Sequence, residues 1–360
     1  MTTVFLTTNI GQPALDHLKS KGYTLDVFAE QEAPSKQQII AGLRKRPDAM
    51  ITNLRDPIDQ DVIAAGKDCL KIIAQDSAGV DNIDLAAANR WRIPVSNTQD
   101  VLTDAVAEYA LFIAGAAMRR LACSEKRVRQ GLWQGWHPVH PFLGEELFDK
   151  TIGVVGTGKI GKAFVSRAAG FGVSFLLYDM HPDQGFADNV TRLLDTYHAL
   201  GLHKHKQTIA YADWHTLLAE SDVITVHTPL IKQGKGSTYH LLSTDAFARM
   251  KRGVCLVNTS RGPIVDEQAL VKALRNGTVG YAALDVFEKE PLPLDSPLRA
   301  EEFVDRVRLY HHFASGGRIS RLSLDPDKGM AGRCITALIR VLEGEDPADI
   351  PYVVNRNIFR

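Results

Sequence analysis

Residues 151–179, TIGVVGTGKIGKAFVSRAAGFGVSFLLYD, constrain this chain more than any other stretch. Ile152 to Val155 is a short apolar run that stops at Gly156-Thr157-Gly158-Lys159-Ile160-Gly161. A helical pattern follows through Ala169, and a second apolar run, Val173 to Tyr178, ends at Asp179. Strand, glycine turn, helix, strand and acid, in that order, make up the dinucleotide-binding fingerprint in the context it requires. Gly156 permits the tight turn, Gly158 lets a pyrophosphate approach the backbone, and Gly161 lets helix and strand pack closely. The free N–H groups at the helix start then face the phosphate charge. Asp179 lies about 20 residues past the glycines, where an acid accepts hydrogen bonds from ribose hydroxyls. A 2′-phosphate there meets a like charge, and no arginine follows directly, so the expectation is NAD rather than NADP.

A chain of 360 residues has room for two domains of ordinary size around this unit. Its 42 basic and 42 acidic residues balance, so no strong field points to nucleic acid or to an anionic membrane. No apolar run is long enough to span a bilayer, and the start, MTTVFLTTNIGQ, lacks the charged-then-apolar pattern of a signal peptide. Cys69, Cys123, Cys255 and Cys334 are scattered without CxxC spacing, which fits buried thiols of a reducing, cytoplasmic setting rather than disulfides or metal ligands.

The first hundred residues alternate short apolar runs with amphipathic segments. Thr3 to Thr7, Thr24 to Phe28, Ala49 to Thr52, Lys71 to Ala74 and Pro94 to Ser96 read as strands. Gln12 to Lys21, Ser35 to Arg44, Gln60 to Ala65 and Leu85 to Asn89 read as helices, so the region predicts a parallel, doubly wound sheet of its own. Thr103 to Arg129 reads as one long helix with a small-residue face, bridging into the glycine-turn domain. The next stretch, QGLWQGWHPVHPFLGEEL, is aromatic and irregular, and reads either as a packed loop or as an arm toward a partner subunit. Residues 181–207 are polar, with His198, His203 and His205 among lysines, and read as a solvated insertion with no carboxylate or cysteine at metal-ligand spacing. Strands resume at Ile209 to Tyr211, Val223 to His227, Val254 to Asn258, Ala282 to Val286 and Val307 to Tyr310, and Met330 to Leu342 is a last helix.

Several of these later strands end in polar residues, the rim at which open α/β sheets bind ligands. Arg261, in NTSRGPIVDE, has the planar fork that binds a carboxylate in bidentate fashion and polarises a neighbouring carbonyl. Glu290 and Glu288, in ALDVFEKEP, compete as the acid that could support a histidine. His312 and His311, in LYHHFASGG, compete as the general acid, since a nearby carboxylate favours an imidazolium. A hydride donor, a guanidinium and a histidine–carboxylate pair together reduce a 2-oxo acid, or oxidise a 2-hydroxy acid in reverse.

The motifs DSAGVDNIDLAAA, DVLTDAVAEYAL, TIGVVGTGKIG, VHTPL, NTSRGPIVDEQAL, ALDVFEKEP and LYHHFASG run in one order over residues 50–320. In this the chain resembles the NAD-dependent D-2-hydroxyacid dehydrogenases. The resemblance implies an α/β chain of two doubly wound domains: a Rossmann NAD-binding domain, residues 102–319, inserted into a flavodoxin-like substrate domain, residues 1–101 plus 320–360. It implies Arg261 as substrate clamp, His312 as proton donor and Glu290 as its supporting acid, five residues beyond Asp285, which would contact the nicotinamide amide. Lys159 and Ile160 would line the pyrophosphate beside Gly156, Gly158 and Gly161, with Asp179 on the ribose. Thr228, Thr259 and Ser260 would flank the cofactor, and backbone N–H groups near Ala78 and Gly79 would bind the carboxylate of a small 2-oxo or 2-hydroxy acid. A homodimer formed through the cofactor domain is also implied. The chain departs from the family pattern at His311, where proline is usual, in its longer segment after Asp179, and in its tail from Glu343 to Arg360. Two other readings share the fold: an NAD-sensing scaffold similar to the carboxy-terminal-binding-protein co-repressors, and a phosphite dehydrogenase, which QGLWQGWHP resembles.

Overall fold

A computed structural model of the chain describes residues 1–30, 32–136, 138 and 143–360. His137, Val139, His140, Pro141 and Phe142, within the aromatic stretch expected to form a loop or an arm, lie outside the described residues. The chain divides into two compact units, one of residues 1–102 and 315–360 and the other of residues 103–314.

The first unit holds strands β1 (Thr3–Leu6), β2 (Thr24–Val27), β3 (Ala49–Thr52), β4 (Ile72–Gln75) and β5 (Val95–Ser96). They form a wholly parallel sheet in the order β2-β1-β3-β4-β5, the flavodoxin-like arrangement. Both faces are covered, which is why these strands read as continuous apolar runs rather than alternating ones. Val4, Leu6, Ile51 and Ile72 pack with Leu15, Leu18, Ile335 and Leu338 on one face. Phe5, Met50, Ile73 and Val95 pack with Ile39, Leu43 and Ile63 on the other. Helix Met330–Leu342 supplies Ile335 and Leu338, so a segment near the end of the chain completes a core that its beginning opens.

The tail beyond that helix is not loose. Val353 forms an antiparallel bridge with Ser96 at the edge of this sheet. The buried Asn355 accepts from Val95 N at 2.9 Å and donates through Nδ2 to Ile93 O at 3.0 Å and Asn89 Oδ1 at 2.9 Å. One side-chain amide thus satisfies backbone groups that β5 would otherwise leave open at the edge.

The second unit holds β6 (Thr151–Val155), β7 (Ser174–Tyr178), β8 (Ile209–Tyr211), β9 (Val223–Val226), β10 (Val254–Asn258), β11 (Val279–Leu284) and β12 (Val307–Leu309). Their order, β12-β11-β10-β9-β6-β7-β8, is again all parallel and reverses direction between β6 and β9. That is the doubly wound Rossmann arrangement, and the reversal is the crevice where such sheets take ligands. Alternate residues of each strand feed two layers: Val155, Ile224, Leu256 and Leu284 one, and Val154, Phe175, Val257 and Ala283 the other.

Two expectations need correction. The single helix expected over Thr103 to Arg129 is two, Thr103–Met118 and Leu121–Arg129. Arg120, at φ 52 in the left-handed region, breaks the chain there without a glycine or proline to announce it. The segment expected to be a solvated insertion instead contains helix Gln184–Ala199, which buries Ala187, Val190 and Leu194, the last two in the second core layer. Those residues recur at i, i+3 and i+7, one face of a helix, although the polar composition hides it.

Candidate active site

The glycine turn after β6 is shaped by what its glycines touch. Gly156 sits at φ 94, where a Cβ would come within 2.8 Å of the backbone carbon of His227, the residue just after β9. The turns following β6 and β9 therefore touch, directly above the reversal in strand order. A Cβ on Gly161 would lie 2.0 Å from Gly156 O, so the first turn of helix Lys159–Ala168 packs on the glycine loop only without a side chain there. At Gly158 a Cβ would meet nothing within 4 Å. The loop is closed on the protein side and open on the other, a cradle bounded by helix N–H groups and suited to a pyrophosphate. Lys159 opens that helix and Ile160 packs partly into the core.

Asp179, at the end of β7, accepts from Thr157 N at 2.6 Å and Thr157 Oγ1 at 3.1 Å through one oxygen, and from His181 N at 2.9 Å through the other. Burial pushes its carboxyl upward, but the His181 and Thr157 donors outweigh that and leave it below the ordinary carboxylate range. It is therefore ionised and held against the glycine turn, one strand from Gly156, placing negative charge beside the turn. The loop after β10 adds Thr259, whose Oγ1 is buried without a partner among the described residues, and Ser260, whose Oγ donates to Thr228 O at 2.5 Å. The pairing of Ser260 with Thr228 joins the turns after β10 and β9. An orphaned hydroxyl beside an open glycine cradle fits a polar ligand such as NAD.

Arg261 follows in the same loop, which Asn258 shapes by accepting from Ser260 N at 3.1 Å and donating to Arg261 O at 3.0 Å. His312 Nδ1 lies 2.8 Å from Glu290 Oε2, and Glu290 Oε1 accepts from Phe287 N at 3.0 Å. Burial raises the Glu290 carboxyl, yet the His312 contact, the Phe287 N–H and the Arg261 charge together bring it below its ordinary value. Glu290 is thus within electrostatic reach of both Arg261 and His312, and the three converge at the carboxyl ends of β10, β11 and β12. The rivals point elsewhere. Glu288 Oε1 lies 3.0 Å from His240 Nε2, and His311 is exposed and stacks on Phe313 with ring centroids 4.9 Å apart. Asp285, fully buried, accepts from Phe313 N at 2.7 Å and Ala314 N at 2.8 Å.

Ala78 and Gly79 belong to the first unit, in the loop just past β4. Asn97 Nδ2 donates to Ala78 O at 2.7 Å and Gln75 Nε2 to Gly79 O at 3.1 Å. Both carbonyls are thus held by side chains, and the N–H groups of Ala78 and Gly79 donate to no acceptor among the described residues. Asp76, one step before this loop, went unremarked in the sequence, as did Tyr109 Oη, 3.4 Å from Asp285 Oδ1. An acid ending an apolar strand and a phenol on an alanine-rich helix were the available signals. Among the described residues no group of three histidine, cysteine or acidic side chains is placed to hold a metal ion, and no helix is long and apolar enough to cross a membrane. His203 is buried edge-on to Tyr197, and His205 Nε2 lies 3.6 Å from Asp149 Oδ2.

Residues 111–314 match the family described as D-isomer specific 2-hydroxyacid dehydrogenase, NAD binding domain. The chain is 37% identical over 358 residues to a glyoxylate reductase of Korarchaeum cryptofilum, covering 99% of this chain and 97% of that protein. Among solved structures, the TT0316 protein of Thermus thermophilus is 34% identical with a TM-score of 0.80, covering 98% of this chain and all of that one. A glyoxylate reductase from Paecilomyes thermophila is 26% identical with a TM-score of 0.75, covering 99% of both chains. The open cradle, the acid beside it and the full-length likeness agree: the chain belongs to the D-isomer specific 2-hydroxyacid dehydrogenase family and is an NAD-dependent oxidoreductase acting on the CH–OH group of 2-hydroxy acids and, in reverse, on 2-oxo acids.

Proposed function

We propose that the chain reduces glyoxylate and similarly small 2-oxo acids, with Arg261, Glu290 and His312 as its reacting set. The observation carrying this reading is the 2.8 Å contact of His312 Nδ1 with Glu290, under the charge of Arg261. Bound NADH supplies the hydride. Arg261 clamps the substrate carboxylate and draws electron density from the adjacent carbonyl. Glu290 occupies Nδ1 of His312, which leaves Nε2 to carry the proton to the carbonyl oxygen or to take it back in the reverse direction. Gly156, Gly158, Lys159, Ile160 and Gly161 hold the pyrophosphate, Asp179 the ribose, and Thr228, Thr259, Ser260 and Asp285 the nicotinamide side. The first unit serves as substrate domain, its Ala78 and Gly79 N–H groups being donors for a carboxylate, and the second serves as cofactor domain.

A homodimer and a cytoplasmic setting complete the reading. Phe112, Leu121, Val128, Trp133, Trp136 and Phe148 are exposed in the second unit, apolar groups that a partner subunit would cover. The four cysteines are all free, as a reducing compartment would keep them.

The deciding experiment follows NADH oxidation with glyoxylate, hydroxypyruvate and pyruvate. Arg261→Gln is expected mainly to raise KM, and His312→Gln to lower kcat by about 10²- to 10⁴-fold, the usual worth of a positioned general acid. NADH binding without turnover on any of these acids would overturn the reading.

A further inference from the structure

Three consecutive backbone N–H groups of the His312 loop end on one residue. His312 N donates to Asp285 O at 2.8 Å, Phe313 N to Asp285 Oδ1 at 2.7 Å and Ala314 N to Asp285 Oδ2 at 2.8 Å. His312 itself sits at φ 56, a left-handed conformation that a non-glycine residue keeps only when its surroundings hold it there. The Asp285 side chain is fully buried, so its oxygens depend on donors placed close by. Two are the backbone groups just named. The third is the phenol of Tyr109, on helix Thr103–Met118, 3.4 Å from Oδ1 and the one side-chain donor to this carboxylate among the described residues. The Tyr109 ring also stands edge-on to Tyr310, with centroids 5.7 Å apart at 75°, so it meets the same loop on its strand side.

We infer that Tyr109 is a positioning residue for this reaction, holding the His312 loop in place through the Asp285 carboxylate. The inference rests on the reading of His312 as proton donor. Oδ1 is shared between the Tyr109 phenol and the Phe313 N–H, so the phenol fixes where the carboxylate turns and hence where the loop hangs. Burial, then the neighbouring Asp285 and Tyr310, push the Tyr109 hydroxyl well above its ordinary value, so it remains a donor wherever the enzyme works. Removing that hydroxyl leaves the helix, the ring contact and both backbone donors in place. What changes is the aim of the carboxylate, and with it the approach of the His312 imidazole to the carbonyl oxygen. Proton transfer is sensitive to such aim, a displacement of about 1 Å being worth as much as 10²-fold.

The test is Tyr109→Phe. Its kcat with glyoxylate is expected to fall about 10-fold, with KM for glyoxylate and Kd for NADH within about twofold of wild type, the pattern of an interaction that matters to the reacting state alone. The solvent deuterium isotope effect on kcat should rise, because the proton step becomes slower while hydride delivery is unaltered. Amide hydrogen exchange at residues 312–314 should quicken. A variant with lowered Tm but wild-type kcat, isotope effect and exchange would overturn the inference and leave Tyr109 a packing residue. If the wild-type protein turns over no 2-oxo acid, the reading of His312 as proton donor fails separately. Exchange at 312–314 then decides the positioning role, faster exchange upholding it and unchanged exchange refuting it.

Discussion

Asp285 closes β11 in the second unit and Asp76 closes β4 in the first, and both are buried, at 0% and 9% exposure. Each anchors its backbone N–H on the neighbouring strand, Asp285 to Asn258 O at 3.0 Å and Asp76 to Thr52 O at 2.7 Å. There the likeness ends. Asp285 has donors on both oxygens and ties down the loop that carries His312. Asp76 Oδ1 has no partner among the described residues. Burial pushes the Asp76 carboxyl up to about 6 against the opposing pull of Arg321. One buried acid is built around its donors, and the other is left where burial resists its charge. The same residue type at the same place in two parallel sheets thus does opposite work, and the supply of N–H and O–H donors makes the difference.

Identical substitutions at the two positions should therefore have opposite signs. Asp285→Asn replaces one acceptor oxygen with an NH₂ that faces a backbone donor. It should cost about 2 kcal/mol of stability in urea unfolding, on the scale of a buried donor left unsatisfied, and lower kcat at least as far as Tyr109→Phe. A neutral result would mean that the Asp285 cradle is not what holds the loop. Asp76→Asn should instead stabilise. The folded-state value of Asp76, about 6, lies above the ordinary 3.8, so the folded state binds more protons between these values. Wild-type stability then falls as pH rises from about 4 to about 6 and stays reduced above, by about 3 kcal/mol at 1.36 kcal/mol per pH unit. Asp76→Asn should remove that fall, and a loss of stability that persists in the variant would break the comparison.

Glu290 offers the smallest and reversed effect. Its carboxyl is held below the ordinary 4.5, so its contribution is complete above that value and is lost as pH drops through the folded one. Glu290→Gln should flatten this acid limb by on the order of 1 kcal/mol, since the pair with His312 is partly exposed. An unchanged acid limb would mean that the contact with His312 adds no stability.

The alternation of strands and helices was legible in the chain because parallel strands covered on both faces must be apolar throughout. Helix Met330–Leu342 is found where its periodicity puts it. The break at Arg120 was not legible, since a left-handed arginine carries no mark in the string. The helix Gln184–Ala199 was legible by its spacing but masked by its polarity. At the site, Glu288 against Glu290 and His311 against His312 are neighbours in sequence whose side chains diverge with the turn of a loop. Residue type alone does not separate them.

The order of glycines, apolar runs and acids determined by itself that this chain winds two parallel sheets and presents a dinucleotide cradle. Backbone geometry and burial follow from those residue types locally, within about 30 residues of one another. The tertiary structure alone decided that Asp285 gathers three donors while an oxygen of Asp76 has none among the described residues, and that a phenol from a distant helix joins them. Those facts depend on electrostatics between groups far apart in the chain, and distance in the fold cannot be read from spacing in the sequence.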